Sequence, residues 1–176
     1  MKTMKVLVAM FVAATMFAVT GCSKDDEGSS INRDDVVGSW SVVKMTISQS
    51  ISGLTGEYAS LNGSRTQESG PEEGESSIFT FNSDGTAIVS NTYIDHDNND
   101  AVLTETGNGT WTLSGKELTL NVTYDNGDTD SQVFMVDEVT STKLVLSVEQ
   151  RTTDSTSIPG QTATITYSVS VEFHKI

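Results

Sequence analysis

The feature that most constrains this chain is alternation. Ala163, Ile165, Tyr167, Val169, Val171 and Phe173 take every second place, with Thr164, Thr166, Ser168, Ser170, Glu172 and His174 between and after them. A period of two sends neighbouring side chains to opposite faces, so such a strand buries one face and wets the other. Leu118, Leu120, Val122 and Tyr124 repeat the pattern against Glu117, Thr119, Asn121 and Thr123, and Leu144, Leu146 and Val148 repeat it against Val145, Ser147 and Glu149. Beyond the N-terminal segment no run sets apolar residues at helical spacing. An all-β chain of antiparallel strands is expected.

Clusters of Gly, Asn, Asp and Ser act as turns and cut the chain into eight strands, near residues 38–48, 77–81, 86–94, 109–113, 117–124, 131–139, 144–150 and 162–174. Eight strands close a small barrel. The connections alternate in length: long at 49–76, tight at Asn82-Ser83-Asp84-Gly85, long at 95–108, tight at Ser114-Gly115-Lys116, medium at 125–130, tight at 140–143 and long at 151–161. In an up-and-down meander alternate connections share an end. The longer loops therefore gather at one rim and the tight turns at the other.

Gly38-Ser39-Trp40, opening the first strand, resembles the Gly-x-Trp signature of the lipocalins. The segments from Phe79 to Thr86 (Phe-Thr-Phe-Asn-Ser-Asp-Gly-Thr) and from Gly109 to Leu120 (Gly-Thr-Trp-Thr-Leu-Ser-Gly-Lys-Glu-Leu-Thr-Leu) resemble more closely the lipocalin-like domains of bacterial lipoproteins. The likeness covers most of residues 34 to 174. It implies an eight-stranded antiparallel up-and-down barrel that carries a small molecule, with Trp40 plugging the closed end. The alternative for Trp40 is a core position in some other β-sandwich. The last strand has no arginine to stack on Trp40 and there is no clear second lipocalin motif, which implies a divergent relative.

The N-terminus has its own logic. Lys2 and Lys5 precede an apolar run from Val6 to Val19 broken only by Thr15, the layout of an export signal and too short for a comfortable membrane span. The run ends in Val19-Thr20-Gly21-Cys22, which resembles the lipobox of bacterial lipoproteins. That resemblance implies cleavage after residue 21 and acylation of Cys22, with palmitate among the chains. The domain plan is then a signal peptide at 1–21, a lipidated acidic tether at 22–33 and one barrel domain at 34–176. Cys22 is the sole cysteine, so its acylation leaves no thiol for disulfides or catalysis. Ser23 stands where an Asp would resemble an inner-membrane retention signal. Lys24-Asp25-Asp26-Glu27 resembles the acidic surface-export signal of some Gram-negative lipoproteins, although a solvated tether has the same composition. The expected location is the outer membrane, lipid-anchored, at the cell surface.

The formal net charge of −14 becomes −16 once Lys2 and Lys5 leave with the signal peptide. Nucleic acid and anionic head groups are therefore disfavoured partners. Catalysis needs a positioned base or nucleophile, yet the only histidines are His96, in an acidic loop, and His174, on the polar face of the last strand. No enzyme is expected.

The rim with the longer loops is the expected binding surface, with Tyr58, Asp95, Asp97, Asp125 and Asp128 as its candidate ligand contacts. Asp95, Asp97 and Asn99 copy the start of a calcium loop, but Asp100 stands where the loop needs glycine and Thr106 where it needs glutamate. Calcium, held with help from the 125–130 loop across the rim, is the one cofactor left open. Partners beyond the membrane divide into two classes: a small molecule inside the barrel, or a glycan or surface protein docked on the acidic rim. An interior cavity lined by apolar groups and a few polar ones favours the first, and a filled interior favours the second.

Overall fold

The computed structural model describes residues 31–96, 98–155 and 160–176. The expected signal peptide, Cys22, most of the expected tether, Asp97 and Pro159 lie outside the described residues.

A single helical turn, α1 (Arg33–Val36), is capped by Asn32, whose side chain accepts a 3.0 Å hydrogen bond from the Asp34 amide. Nine strands follow among the described residues: β1 (Gly38–Ser52), β2 (Gly63–Ser69), β3 (Ser76–Phe81), β4 (Thr86–Asp95), β5 (Ala101–Ser114), β6 (Glu117–Tyr124), β7 (Thr129–Val139), β8 (Lys143–Asp154) and β9 (Ala163–Lys175). All pair antiparallel in a meander, and β9 returns to β1 from Trp40↔Lys175 to Ser52↔Thr164. Eight of them, β1 and β3 to β9, form the closed barrel that the alternation predicts.

The ninth, β2, corrects the expectation of a long free loop at 49–76. The first strand continues to Ser52, a 3-10 helix spans Gly56–Leu61, and β2 then runs back along β1 from Ile51↔Gly63 to Met45↔Ser69. β3 joins β1 only below that level, from Ser41↔Ile78 to Gly38↔Phe81. Lower β1 is thus flanked by β3 and β9, upper β1 by β2 and β9. β2 has β1 as its sole ladder partner, so in the upper half no ladder carries the wall from β2 to β4. β2 escapes sequence reading because Gly-Ser-Arg-Thr-Gln-Glu-Ser has no apolar face. Its pairing rests on the backbone ladder, with the Ser48 and Thr66 hydroxyls 3.1 Å apart and Lys44 3.5 Å from Glu68 across it.

Two bulges reset the inward phase. On β1 the register shifts between Val42 and Lys44, so Trp40 and Val42 point inward below it and Met45 and Ile47 above it. On β7 a shift between Val136 and Glu138 separates Phe134 and Val136 from Val139. The lower barrel is filled by Trp40, Phe81, Trp111, Leu118, Phe134, Leu144, Leu146, Val171 and Phe173, with Val36 of α1 completely buried against them. α1 therefore lies under the closed end as a stopper.

The Gly-x-Trp motif has a geometric explanation here. Gly38 has φ +139, and the stem of Lys175 occupies the space its Cβ would need. That close approach lets the Lys175 ammonium sit 4.9 Å from the centre of the Trp40 ring while donating to the Val37 carbonyl at 3.0 Å. The last strand thus has its cation on the tryptophan after all, as a lysine. Trp40 Nε1 donates to the Val36 carbonyl at 2.8 Å, tying stopper to barrel. Trp111 has a parallel arrangement: Arg33 lies 4.5 Å over its ring, and its Nε1 donates to the Asn82 carbonyl at 2.9 Å.

Candidate functional site

The tight turns at 82–85, 115–116 and 140–142 lie at the closed end with α1, and Ser52, Asp95, Tyr124 and Asp154, where β1, β4, β6 and β8 end, lie at the other. The wide rim is uneven. β5 begins at Ala101, not near 109, so the supposed 95–108 loop is mostly a hairpin that stands above its neighbours. Asp95 pairs with Ala101 near the top of that hairpin, whereas the Asp125 amide donates to the Thr106 carbonyl at 3.0 Å. Five residues of extended chain, about 16 Å, therefore separate the two acidic turns along β5. An ion shared between Asp95 and the 125–130 turn would have to bridge this separation. Among the described residues no three His, Cys, Asp or Glu side chains gather as metal ligands.

The remaining rim candidates are scattered as well. Asn99 and Asp100 both adopt left-handed backbone, and Asp100 Oδ1 lies 2.6 Å from His96 Nδ1. Asp97 lies outside the described residues. Asp128 is held in its turn by Asn126, whose Oδ1 accepts from the Asp128 amide at 2.8 Å and whose Nδ2 donates to Asp128 and Glu105, each at 3.0 Å. Tyr58 is half-buried on the 3-10 helix between β1 and β2, a folded position instead of a free loop. Tyr167, expected on the buried face, is exposed beyond the filled part of the barrel, and its hydroxyl accepts from Gln49 Nε2 at 2.8 Å.

A better-formed site lies inside the barrel, just above the apolar core. Inward positions turn polar there: Ser77 and Asn91 pair across β3 and β4 and are both buried, and Glu105 pairs with Asn91 from β5. Next to them a small cavity of about 20 Å³ is lined by Phe79, Val89, Leu120, Val122, Tyr124, Asp130, Gln132 and Phe134. That is room for about one water-sized group. Gly107 helps to form this wall, because a Cβ there would collide with Val122 and Tyr124.

Asp130 is the electrostatic centre of the cavity. Its Oδ1 is buried and has no hydrogen-bond partner among the described residues. Burial, opposed by a hydrogen bond from the Ser131 amide, holds its carboxyl above the usual carboxylate range. Tyr124 is pushed up to about 12, first by burial and then by the negative charges of Asp130 and Glu105. Sequence reading assigned Asp130 to a turn because it sits at the end of Asp125-Asn126-Gly127-Asp128-Thr129-Asp130. The available signal was phase: residues 130 and 132 continue the inward series of Phe134 and Val136.

The raised carboxyl has a measurable consequence. A carboxylate whose folded pKa exceeds its unfolded value contributes stability that is present below the unfolded pKa, near 3.9, and is lost as pH rises through the folded pKa. Asp130→Asn is therefore expected to be more stable than wild type at pH 7, with the gap closing as pH falls to about 3. Asp84, shifted in the opposite direction by hydrogen bonds from the Thr86 hydroxyl and amide, is common to both proteins and cancels. Urea unfolding at the two pH values reads the gap; equal stability at pH 7 would mean that the carboxyl is solvated.

A closed antiparallel barrel, stoppered by a short N-terminal helix and sealed by a tryptophan from its first strand, is a lipocalin-type barrel. The lipocalin-like domain model matches residues 36–146, and the chain belongs to that family. Among solved structures it is similar to a lipocalin-like protein from Bacteroides uniformis ATCC 8492, at 16% identity and a TM-score of 0.38, over 81% of this chain and 99% of that one. No curated protein matches the chain.

Proposed function

We propose that this protein is a lipid-anchored lipoprotein of the outer membrane, facing outward, whose barrel binds a small molecule at its wide end. One observation carries the binding reading: the interior is solid and apolar below but polar above, where buried Asp130 Oδ1 meets a cavity walled by Phe79, Val89 and Leu120. Convergent polar groups on an apolar wall are the usual composition of a ligand site. The anchor rests on Cys22 in its lipobox-like setting, and the outward orientation on Lys24-Asp25-Asp26-Glu27. Chain entry at the closed end points the wide end away from the membrane.

Size favours a small ligand, or only the head of a larger one, because 20 Å³ is far below the several hundred Å³ of a drug-sized site. The second reading, a docking module, draws on the outer wall. There an open groove of about 400 Å³ runs over Thr110, Asn121, Thr123, Thr129 and Ser131, a hydroxyl- and amide-rich surface suited to a glycan. Native mass spectrometry of the protein isolated from its own cells separates the two. A small-molecule adduct lost in Gln132→Trp, which fills the cavity, is the expected result. No adduct, together with glycan binding abolished by Asn121→Ala, would replace the first reading with the second.

A further inference from the structure

Resting on the reading that the interior takes a small molecule, we infer that the ligand presents a primary ammonium group, seated on Asp130 with its apolar body toward the barrel mouth. A buried carboxylate oxygen without a donor is costly, and the described residues supply none to Asp130 Oδ1. No lysine or arginine lines this cavity, while Arg33 and Lys175 are committed to the tryptophans at the opposite end. With no described lysine or arginine in the cavity lining, a ligand's cation is the complement that Asp130 Oδ1 lacks.

The other lining groups suit an ammonium head. It has three protons and no acceptor, so it needs acceptors on several sides. Besides Asp130, the lining residues Gln132 and Tyr124 carry oxygen acceptors, and Phe79 and Tyr124 carry aromatic rings of the kind that attract a cation. Volume narrows the class. A space of about 20 Å³ takes an ammonium, which is about the size of water, but not a trimethylammonium or a guanidinium with its wider plane. Glu105, on the same inward face and sharing the charge felt by Tyr124, extends the negative potential toward the mouth and repels carboxylates.

The test is calorimetric titration of the full-length protein with n-butylammonium, n-butyltrimethylammonium, n-butanol and n-butyrate, each at 0.15 and 0.5 M NaCl. Butylammonium is expected to bind at least tenfold more tightly than butanol at both salt concentrations, and the trimethyl compound and butyrate not measurably. Asp130→Asn, which keeps shape and removes charge, should bring butylammonium down to the level of butanol. If butanol binds as tightly as butylammonium in wild type and Gln132→Trp abolishes both, the interior site stands and the ammonium assignment falls. If the preference persists in Asp130→Asn, or vanishes at 0.5 M NaCl, the acidic surface is its source and the assignment is overturned. If no probe binds, the interior site fails with it.

Discussion

Trp40→Ala is expected to destabilise the protein by about 3 to 5 kcal/mol, because the largest buried side chain of the closed end would leave a cavity that the surrounding strands cannot collapse. For a domain of this size that corresponds to a fall in Tm of about 10 °C or more. Three connections disappear together: apolar contact with Val36, the Nε1 hydrogen bond to the Val36 carbonyl and the Lys175 ammonium on the ring. Trp40→Phe separates them. Its ring still fills most of the space, while the hydrogen bond, worth about 1 kcal/mol, is lost. Urea unfolding of both variants gives the comparison; a loss well under 1 kcal/mol for the alanine variant would show that the closed end does not depend on its plug.

Cys22→Ala is the second large effect, and it acts on location instead of stability. One acyl chain holds a protein only marginally, but the several chains implied by the lipobox resemblance make dissociation negligible, each buried methylene adding about 0.8 kcal/mol. The variant is expected to incorporate no labelled palmitate and to leave the membrane fraction almost completely. Residues 31–176 should fold unchanged, because Ile31 and Arg33, against the barrel, are the first described residues that touch it. Continued labelling of the variant would place the acyl chains elsewhere and remove the basis for the anchor. Protease treatment of intact cells, cutting in the 53–62 connection, reports separately on the outward orientation.

These expectations combine two levels of description. The all-β class, most strand cores and the tight turns at 82–85 and 115–116 were legible in the residues, because alternation and turn chemistry are local and repeat every two to four positions, whereas Trp40 at the closed end was implied by the lipocalin resemblance of Gly38-Ser39-Trp40. The candidate site was legible only in part. Tyr58, Asp95, Asp97, Asp125 and Asp128 were chosen from loop composition, and the register of β5 sets Asp95 and Asp125 about 16 Å apart along the strand. The cation over the Trp40 ring is Lys175, because the physical requirement there is a positive charge and not an arginine in particular.

What the amino-acid sequence by itself determined is the set of faces: which side chains of each strand look inward, and so that a closed sheet with an apolar interior is the way to bury them. What only the tertiary structure decided is where those faces meet. The bulges at Val42/Lys44 and Val136/Glu138 reset the inward phase, β2 replaces β3 beside upper β1 through a backbone ladder that no apolar face announces, and the stagger of pairing brings Asp130 of β7 into the cavity that Phe79 of β3 also lines. The physical reason is the range of the forces involved. Alternation is a property of consecutive residues, whereas register and closure are settled by hydrogen bonds and contacts between segments far apart in the chain, and a buried carboxylate acquires its meaning only from the neighbours that closure gives it.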